Sequence, residues 1–331
     1  MKRLFAYFDT GNKFNSVYQQ TMLLIERLEL IYGMKVEILN DEGFKSHLNK
    51  DDEVILLPYY TLKLELGMFQ KYRNVVFIYH NITPPRFFWK TEPLVAVRSV
   101  LGHLQLRYLR HITRQWIAVS EYNKRELESY GFRQVKFCSN LIKVTQSVEE
   151  KTPEPSMLYV GRIVQNKKCL ELLEMAHSAS QMLGRPVSLY LVGSGKEGTS
   201  YLRRFREWID AHSEAYLKIH WLNGLSEAEL ASIYQRCWLY VTLSQHEGFG
   251  LPVCESINNG TPAIYVRCGG QELVLNNIGL TEERLMAARA AELLGDASKL
   301  QALFRQQKEL VEGITIPNYD NEIRKVFDGI L

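Results

Sequence analysis

Short apolar runs alternate with longer helical patterns along the whole chain, and this alternation constrains the fold more than any other feature of the sequence. In the first half it predicts strands at Leu4–Phe8, Val36–Leu39, Val54–Leu57, Val75–Tyr79, Trp116–Val119 and Lys136–Cys138. Helices are predicted at Asn15–Ile31, Leu94–Ile112 and Glu121–Tyr130. Strands that alternate with helices are typical of parallel sheets built from βα units.

A second series of the same kind begins after Val148–Pro155, a polar, proline-bearing stretch that we predict to be a linker. Its predicted strands are Met157–Val160, Val187–Val192, Ile219–Leu222, Leu239–Leu243 and Ala263–Tyr265. Its predicted helices are Leu170–Leu183, Ser200–His212 and Glu227–Arg236. Because 331 residues exceed what one core usually supports, we expect two domains. The predicted fold is α/β, with two doubly wound, Rossmann-like domains facing across a cleft and ligands at the carboxyl ends of the strands.

The predicted domains are residues 1–148 and 149–316, followed by a last helix over residues 317–331. That helix begins at a proline and is amphipathic through Ile323, Val326, Phe327 and Ile330. An apolar face of this kind is normally buried against another element.

Composition and charge exclude several classes of protein. Hydrophobic residues make up 46% of the chain and charged residues 23%, which is typical of a globular protein. The net charge of +3, without aromatic residues interleaved among the basic ones, argues against a nucleic-acid partner. The five cysteines form no CxxC pair, so we expect a reduced, cytoplasmic protein without zinc or disulfides. Asp9 interrupts the first apolar run too early for a signal peptide, and no apolar stretch approaches the roughly 18 residues of a membrane span.

The first candidate site follows the strand Met157–Val160 and reads GRIVQNK, from Gly161 to Lys167. A glycine lets the chain turn tightly away from a strand end, and Arg162 and Lys167 are able to converge on one ligand. Two fixed cations suit a diphosphate, whose negative charge grows as a bond to it breaks. Two solvated charges on a loop are the alternative interpretation.

The second candidate site is EGFGLPVCE, from Glu247 to Glu255, between the strand Leu239–Leu243 and a helix through Ser256–Asn259. Its two glycines and its proline predict a loop that opens a helix, with one acid in the loop and the other in the first helical turns. Carboxylates there can accept hydrogen bonds from sugar and ribose hydroxyls, and amides at the helix start can bind phosphate. Two unrelated surface carboxylates are an equally good interpretation of the spacing alone.

Two glycine turns give weaker support. Val192-Gly193-Ser194-Gly195 follows a strand but lacks the third glycine of GxGxxG. Cys268-Gly269-Gly270-Gln271-Glu272 follows another strand, and its glycines permit close approach of a ligand. Each is equally consistent with a structural turn.

The order of these elements resembles a known family. GRIVQNKK, LVGSGKE, WLNGLSEAELASIY, SQHEGFGLPVCESINNGTPAI and CGGQEL follow one another as in retaining GT-B glycosyltransferases of the glycosyltransferase-four class, over most of residues 157–273. The Glu-x7-Glu element around EGFGLP is the most specific part. In the first half, IAVSEYNKREL resembles the last strand and helix of the family's N-terminal domain. Tyr79–Pro85, YHNITPP, resembles a subgroup that builds bacterial surface polysaccharides, often from mannose-like donors.

The resemblance implies roles for the matching residues. Arg162 and Lys167 would hold the donor diphosphate and stabilise the leaving group without a divalent metal. Glu247 would contact hydroxyls of the transferred sugar, and Glu255 the ribose. His80 would face the donor sugar across the cleft, although a lone histidine after a buried strand is more often a packed residue. The other positions implied at the donor site are Gly11, Gly161, Lys168, Gly193, Leu222, Gly224, Leu225, Gly248, Phe249, Gly250 and Leu251.

The sequence also departs from the family pattern. Lys168 stands where the family usually has glycine, so Lys167 and Lys168 are able to exchange roles. CGGQEL is one residue shorter than the usual motif, which leaves the role of Glu272 open.

The resemblance implies a retaining hexosyltransferase in bacterial cell-surface polysaccharide synthesis, such as that of lipopolysaccharide. The donor expected first is GDP-mannose and second a UDP-hexose, with no cofactor or metal. The acceptor would be a glycan or a lipid-linked saccharide bound by the N-terminal domain, onto which the last helix would cross back. The alternatives are a catalytically degenerate scaffold that binds nucleotide or sugar, and a sugar phosphorylase on the same fold.

The segment 94–114 carries Arg98, Arg107, Arg110 and Arg114 among apolar residues. A basic amphipathic helix can lie on an anionic membrane, where lipid-linked acceptors are found. The alternative is a helix packed on the sheet with a solvated basic face. A peripheral position on the inner face of the cell membrane is therefore one expectation for this protein.

Overall fold

In the computed structural model, the described residues are 3–8, 16–39, 53–63, 74–111, 115–142, 149–212, 216–314 and 316–331. Contacts between residues divide the chain into two compact units. The first comprises Met1–Arg86, Pro93–Leu141 and Ile314–Leu331, and the second comprises Phe87–Glu92 and Ile142–Gly313. Each unit is built around its own parallel β-sheet, which confirms the predicted class of two doubly wound α/β domains.

The sheet of the first unit has the strand order β2-β1-β3-β4-β5-β6, and its paired strands are parallel. Its strands are β1 (Arg3–Tyr7), β2 (Val36–Leu39), β3 (Glu53–Tyr59), β4 (Val75–Tyr79), β5 (Gln115–Ala118) and β6 (Lys136–Phe137). Its helices include α1 (Ser16–Tyr32), α2 (Pro93–Leu109) and α3 (Glu121–Ser129). Alternate residues of the strands enter two separate apolar cores, one on each face of the sheet.

The sheet of the second unit has the order β11-β10-β7-β8-β9, again with parallel pairs. Its strands are β7 (Ser156–Val160), β8 (Val187–Val192), β9 (Leu217–Leu222), β10 (Leu239–Thr242) and β11 (Ala263–Tyr265). Its helices include α4 (Cys169–Leu183), α5 (Ser200–Ala211), α6 (Glu227–Arg236), α7 (Leu251–Asn258), α8 (Gly270–Val274), α9 (Met286–Gly295) and α10 (Ala297–Val311). The chain runs outward from β7 to β9 and then returns to the other side of β7, so the strand order reverses between β7 and β10.

The last helix, α11 (Ile316–Phe327), packs on the first unit. Its Asp320 accepts a hydrogen bond of 2.8 Å from Nε of Arg27 on α1. Its Glu322 accepts one of 2.8 Å from the backbone N–H of Ser139. The apolar face, with Ile323 and Phe327, fills the core on the α1 side of the sheet.

The prediction of a linker at Val148–Pro155 is wrong for the part that the structure describes. Lys151 donates hydrogen bonds from Nζ to the carbonyl oxygens of Cys237 (2.5 Å) and Gly260 (2.9 Å). The carbonyl oxygen of Thr152 accepts a hydrogen bond of 2.9 Å from the indole N–H of Trp238. Residues 149–155 are therefore fixed to the second unit, and their polar side chains serve these contacts. Val148, the predicted domain boundary, lies outside the described residues.

Candidate active site

The two loops that carry the candidate residues leave adjacent strands. β7 and β10 are paired at Leu239 with Met157 and at Tyr240 with Leu158. The loops that follow them meet where the backbone N–H of Gln245 donates to the carbonyl oxygen of Asn166 at 2.9 Å. Because the strand order reverses between these strands, their carboxyl ends form the crevice in which ligands of doubly wound sheets bind.

Arg162 is exposed at the start of the loop after β7. Its carbonyl oxygen accepts a hydrogen bond of 3.1 Å from Oη of Tyr159, which fixes the backbone. Within the part of the chain that the structure describes, its guanidinium group has no ion pair and no hydrogen bond. A positive charge is therefore available at this strand end.

Lys167 and Glu247 join the two loops. Nζ of Lys167 donates a hydrogen bond to Oε1 of Glu247, and the side chains are only 15% and 21% exposed. The residue predicted to bind the diphosphate and the residue predicted to bind the sugar are thus in direct contact.

Lys168 differs from Lys167 in the acid with which it pairs. It donates from Nζ to both carboxylate oxygens of Glu283, at 2.7 and 2.6 Å. Its φ of 51° lies in the left-handed region that favours glycine, which accounts for the glycine usual at this position in the family that the sequence resembles. Lys167 is the lysine on the Glu247 side, and Lys168 is held by a different acid.

The loop Glu247–Gly250 is braced by the turn at Cys268–Gly270. The backbone N–H of Glu247 donates to the carbonyl oxygen of Cys268 at 3.1 Å, and that of Gly270 donates to the carbonyl oxygen of Glu247 at 2.8 Å. Gly250 precedes α7 with a φ of 90°, and a Cβ added there would lie 2.7 Å from Cβ of Gln271. Phe249 is buried, whereas Gly248 and Leu251 are partly exposed at the helix start.

Glu255 lies on α7, partly buried, and Oε2 of its carboxylate accepts a hydrogen bond of 3.0 Å from Oη of Tyr234 on α6. Tyr234 is 2% exposed. Tyr234 could not be identified from the sequence, because nothing in the residue spacing connects α6 with α7.

Glu272 has a local structural role. Its Oε2 accepts hydrogen bonds from the backbone N–H groups of Cys268, at 3.0 Å, and of Gly269, and so caps α8. Its neighbour Gln271 is fully buried, and its Oε1 has no hydrogen-bond partner among the described residues. Gln271 is an acceptor beside Gly250 that sequence reasoning missed.

The remaining residues of the second unit that the sequence predicts at the donor site lie beside β8 and β9. A Cβ on Gly193 would lie 2.1 Å from the carbonyl oxygen of Gly161, so this glycine permits an approach between two backbones. Leu222 ends β9, at the edge of the sheet, and its carbonyl oxygen accepts a hydrogen bond of 2.9 Å from Gly193. Gly224 and Leu225 follow it, at the strand end furthest from β10.

His80 lies in the first unit, directly after β4, and its backbone N–H donates to the carbonyl oxygen of Tyr59 at 3.0 Å. Its ring lines a small cavity with residues of α1, including Gln20 and Thr21. Its Nε2 is buried without a hydrogen-bond partner among the described residues. Burial, with a smaller effect of the Lys63 charge, lowers the pKa of His80 to about 3, so the ring is neutral at pH 7. Its contact with the donor sugar stays a prediction, and Gly11 lies outside the described residues.

Among the side chains that the structure describes, no three His, Cys, Asp or Glu residues are grouped so as to hold a metal ion. The expectation of a reaction without metal stays a prediction.

The sequence profile of the family "Glycosyl transferases group 1" matches residues 143–309, half of the chain. The chain belongs to the group 1 glycosyl transferases. The matched range contains both loops of the β7–β10 crevice and Glu255.

Two curated relatives resemble parts of the chain. The GtfA subunit of UDP-N-acetylglucosamine–peptide N-acetylglucosaminyltransferase from Streptococcus gordonii is 29% identical over 169 residues, 48% of this chain and 31% of that protein. The GDP-mannose:cellobiosyl-diphosphopolyprenol alpha-mannosyltransferase of Xanthomonas campestris is 31% identical over 110 residues, 33% of this chain and 28% of that protein. Each match spans less than a third of the relative's length.

The fold also resembles that of a solved structure, the sucrose-phosphate synthase of Thermosynechococcus elongatus. The TM-score is 0.79 at 15% identity, over 100% of this chain and 99% of that one. At this identity the similarity shows the fold alone, and it confirms the GT-B class predicted from the sequence.

Proposed function

We propose that this group 1 glycosyl transferase moves a hexose, with retention of configuration, from a nucleotide-sugar to a glycan or a lipid-linked saccharide. The observation that carries the proposal is the contact of Lys167 with Glu247 in the β7–β10 crevice, with the exposed Arg162 on the same loop as Lys167. A crevice with cations for a diphosphate and a carboxylate for sugar hydroxyls suits a nucleotide-sugar.

The donor that we propose first is GDP-mannose, and the second is a UDP-hexose. The Xanthomonas relative is named for GDP-mannose and the Streptococcus relative for UDP-N-acetylglucosamine, so both bases occur among similar proteins. Bacterial cell-surface polysaccharide synthesis, as of lipopolysaccharide, is the process that fits a mannosyl donor and a lipid-linked acceptor.

In the proposed mechanism, Arg162 and Lys167 hold the diphosphate and stabilise its charge as the glycosidic bond breaks. Glu247 binds hydroxyls of the sugar, Glu255 binds the ribose, and His80 contacts the sugar from the first unit. The acceptor hydroxyl attacks from the face that the diphosphate leaves, and a phosphate oxygen takes its proton. The protein thus positions the reactants and needs neither a covalent nucleophile nor a metal.

A transfer assay tests this proposal. The protein is incubated with GDP-mannose or UDP-glucose, with and without a saccharide mixture, while nucleoside diphosphate release and the anomeric NMR signals of the product are followed. We expect release that depends on the saccharide, and an α-linked product from an α-linked donor. An inverted product would contradict retention, full-rate release with phosphate alone would favour a phosphorylase, and no release would favour a degenerate scaffold.

A specific observation also supports a peripheral membrane position. The buried residues of α2, which face the domain, are Ala96, Ser99, Gly102, Leu106 and Leu109. Large apolar residues face outward, with exposed fractions of 80% at Leu94, 44% at Val97, 44% at Leu101, 53% at Leu104 and 61% at Tyr108. The helix packs on the sheet through Leu106 and Leu109, as in the alternative from the sequence, and its outward face carries these large apolar residues as well as basic ones.

An anionic membrane surface is the occupant that we propose for this face. The exposed Arg98, Arg107 and Arg110 lie on or directly after the helix, and the sequence has no acidic residue between Glu92 and Glu121. Cations beside an apolar stripe suit anionic headgroups above acyl chains. Among the described residues, no helix is both long and apolar enough to cross a bilayer, so the contact we propose is peripheral.

Co-sedimentation with vesicles of phosphatidylglycerol and phosphatidylcholine tests the membrane contact. We expect the wild type to pellet with vesicles rich in phosphatidylglycerol, and Leu101→Glu/Leu104→Glu to stay in the supernatant. A matched control, Leu30→Glu, changes an exposed leucine on α1 and keeps the binding. A wild type that does not pellet, or a double variant that pellets equally, would remove the membrane from the proposal.

A further inference from the structure

One carboxylate oxygen holds both chain neighbours of His80. Oε2 of Glu126, on α3, accepts a hydrogen bond of 2.7 Å from Oη of Tyr79 and one of 2.6 Å from Nδ2 of Asn81. Tyr79 enters the apolar core on one face of the sheet, whereas His80 lines the cavity on the other face. Glu126 therefore acts on His80 through the backbone, from the side away from its ring.

Asn123, also on α3, holds the same stretch of backbone. Its Nδ2 donates to the carbonyl oxygen of Tyr79 at 3.2 Å, and its Oδ1 accepts from Nδ2 of Asn81 at 3.3 Å. Asn81 has a φ of 78°, a left-handed conformation that needs support in a non-glycine residue. The carbonyl group before His80 and the side chain of Asn81 after it are thus tied to the first turns of one helix.

The start of α3 is itself fixed. Oγ of Ser120 accepts a hydrogen bond of 3.0 Å from the backbone N–H of Asn123 and so caps the N-terminus of α3. Asn123 is fully buried. The helix thus places Asn123 and Glu126, one turn apart, against the end of β4.

The negative charge of Glu126 is costly in this position. Burial raises the pKa of Glu126 to about 7, and the hydrogen bond from Tyr79 opposes that rise. An ionised carboxylate makes hydrogen bonds roughly twice as strong as a neutral one. The contacts that hold Tyr79 and Asn81 consequently strengthen as the pH rises through about 7.

The other ionisable groups around this network titrate away from neutral pH. Burial raises the pKa of Tyr79 and of Tyr130, which follows α3. Burial and the nearby Arg107 on α2 lower the pKa of His103, whose Nδ1 lies 3.2 Å from Oη of Tyr130. Lys63, after β3, is the charge that acts on His80. A pH-dependent change at the His80 ring with a midpoint near pH 7 would therefore report the ionisation of Glu126.

We propose that Glu126 is a positioning residue, whose ionised carboxylate holds Tyr79 and Asn81 and thereby fixes the orientation of the His80 ring. The catalytic consequence rests on the proposed function, in which His80 contacts the donor sugar. The structural coupling between Glu126 and His80 does not rest on it.

NMR of the full chain with labelled histidines tests the coupling directly. The His80 ring signal is assigned by its loss in His80→Gln. We expect it to shift with a midpoint near pH 7 in the wild type, although the ring itself stays neutral. In Glu126→Gln, which keeps an acceptor oxygen but has no charge, the shift disappears. Glu128→Gln, exposed on the same helix, serves as the matched control and keeps it. A flat His80 signal in the wild type, or an unchanged titration in Glu126→Gln, would overturn the proposal.

The pH profile of kcat separates this proposal from the proposed function. In the wild type we expect kcat to fall by about tenfold from pH 8 to pH 6, the limit for one group with a pKa near 7. Glu126→Gln loses this dependence and Glu128→Gln retains it. If the NMR coupling is found but His80→Gln turns over donor normally, the positioning stands and the role of His80 in the proposed function is wrong.

Discussion

Nζ of Lys167 donates a hydrogen bond to Oε1 of Glu247, 80 residues further along the chain. The contact joins the loop after β7 to the loop after β10, where the strand order of the second sheet reverses. It also neutralises one of the two cations that we assign to the donor diphosphate. In the proposed site a diphosphate would therefore share Lys167 with Glu247, whereas the guanidinium group of the exposed Arg162 has no such competitor among the described residues.

Removal of the Glu247 charge separates binding from turnover. In Glu247→Gln, Lys167 no longer faces a carboxylate, so we expect nucleoside diphosphate to bind about three- to tenfold more tightly. Turnover of the nucleotide-sugar falls by about 10²-fold, because a charged ligand of the sugar is lost. Calorimetry and a donor-consumption assay measure the two effects. Glu283→Gln, which frees Lys168 instead, changes neither, and tighter binding in that variant would identify Lys168 as the phosphate ligand.

Gly250 is expected to be intolerant of a side chain. Gly250→Ala places a Cβ 2.7 Å from Cβ of Gln271 and adds strain at a φ of 90°. Gly198→Ala is the matched control, with a φ of 78° and no atom within 4 Å of the added Cβ. Urea unfolding should show a loss of about 1 kcal/mol in the control and about 2–4 kcal/mol in Gly250→Ala. Equal losses would show that the crowding against Gln271 is relieved at no cost.

The stability of the first unit should depend on pH through Glu126. Its pKa is about 7 in the folded chain and close to the ordinary 4.5 in the unfolded chain, so the fold favours the neutral form. The unfolded state therefore loses its proton first, and the free energy of unfolding falls as the pH rises from about 4.5 to about 7. Relative to the wild type, Glu126→Gln should gain stability across this window and level off above it, whereas Glu128→Gln should not. Urea unfolding at pH 5, 6 and 8 measures the difference in the free energy of unfolding between Glu126→Gln and the wild type. A difference that does not change with pH would contradict this prediction.

Donor turnover should not require a divalent metal. In the proposed mechanism, Arg162 and Lys167 supply the positive charge that a metal supplies to a diphosphate in other enzymes. We expect the rate of nucleoside diphosphate release with EDTA to stay within about twofold of the rate without it, which is the scatter of such an assay. The reason is that no step of the proposed mechanism uses the charge of a metal ion. A rate that EDTA abolishes and Mg²⁺ restores would contradict this part of the mechanism.

The sequence predicted the strands well because their signal is local. Val75–Tyr79, Val187–Val192 and Ala263–Tyr265 have the predicted bounds, since a short apolar run between turn residues determines a buried parallel strand. Helices α9 and α10 were not predicted, although their buried residues, such as Leu293 and Leu303, belong to the apolar core of the second unit.

Other features depend on distant residues and were not accessible from the sequence. Lys151 lies in a polar stretch, and its hydrogen bonds to Cys237 and Gly260 become visible only in the fold. Which lysine faces Glu247 was likewise open, and only the fold shows that Lys167 contacts Glu247 while Lys168 pairs with Glu283. The outward apolar face of α2 was missed because a periodic pattern does not state which face packs on the sheet.

The most direct test of the central claim is calorimetric binding of GDP, UDP, ADP and dTDP to the wild type, Arg162→Ala and the control Arg203→Ala. Arg203 is an exposed arginine on α5 that lies outside both loops. We expect micromolar binding of at least one nucleotide, retained in Arg203→Ala and weakened by 10²-fold or more in Arg162→Ala. Binding that Arg162→Ala leaves within about threefold, or no binding of any nucleotide to the wild type, would contradict a nucleotide-sugar site in the β7–β10 crevice.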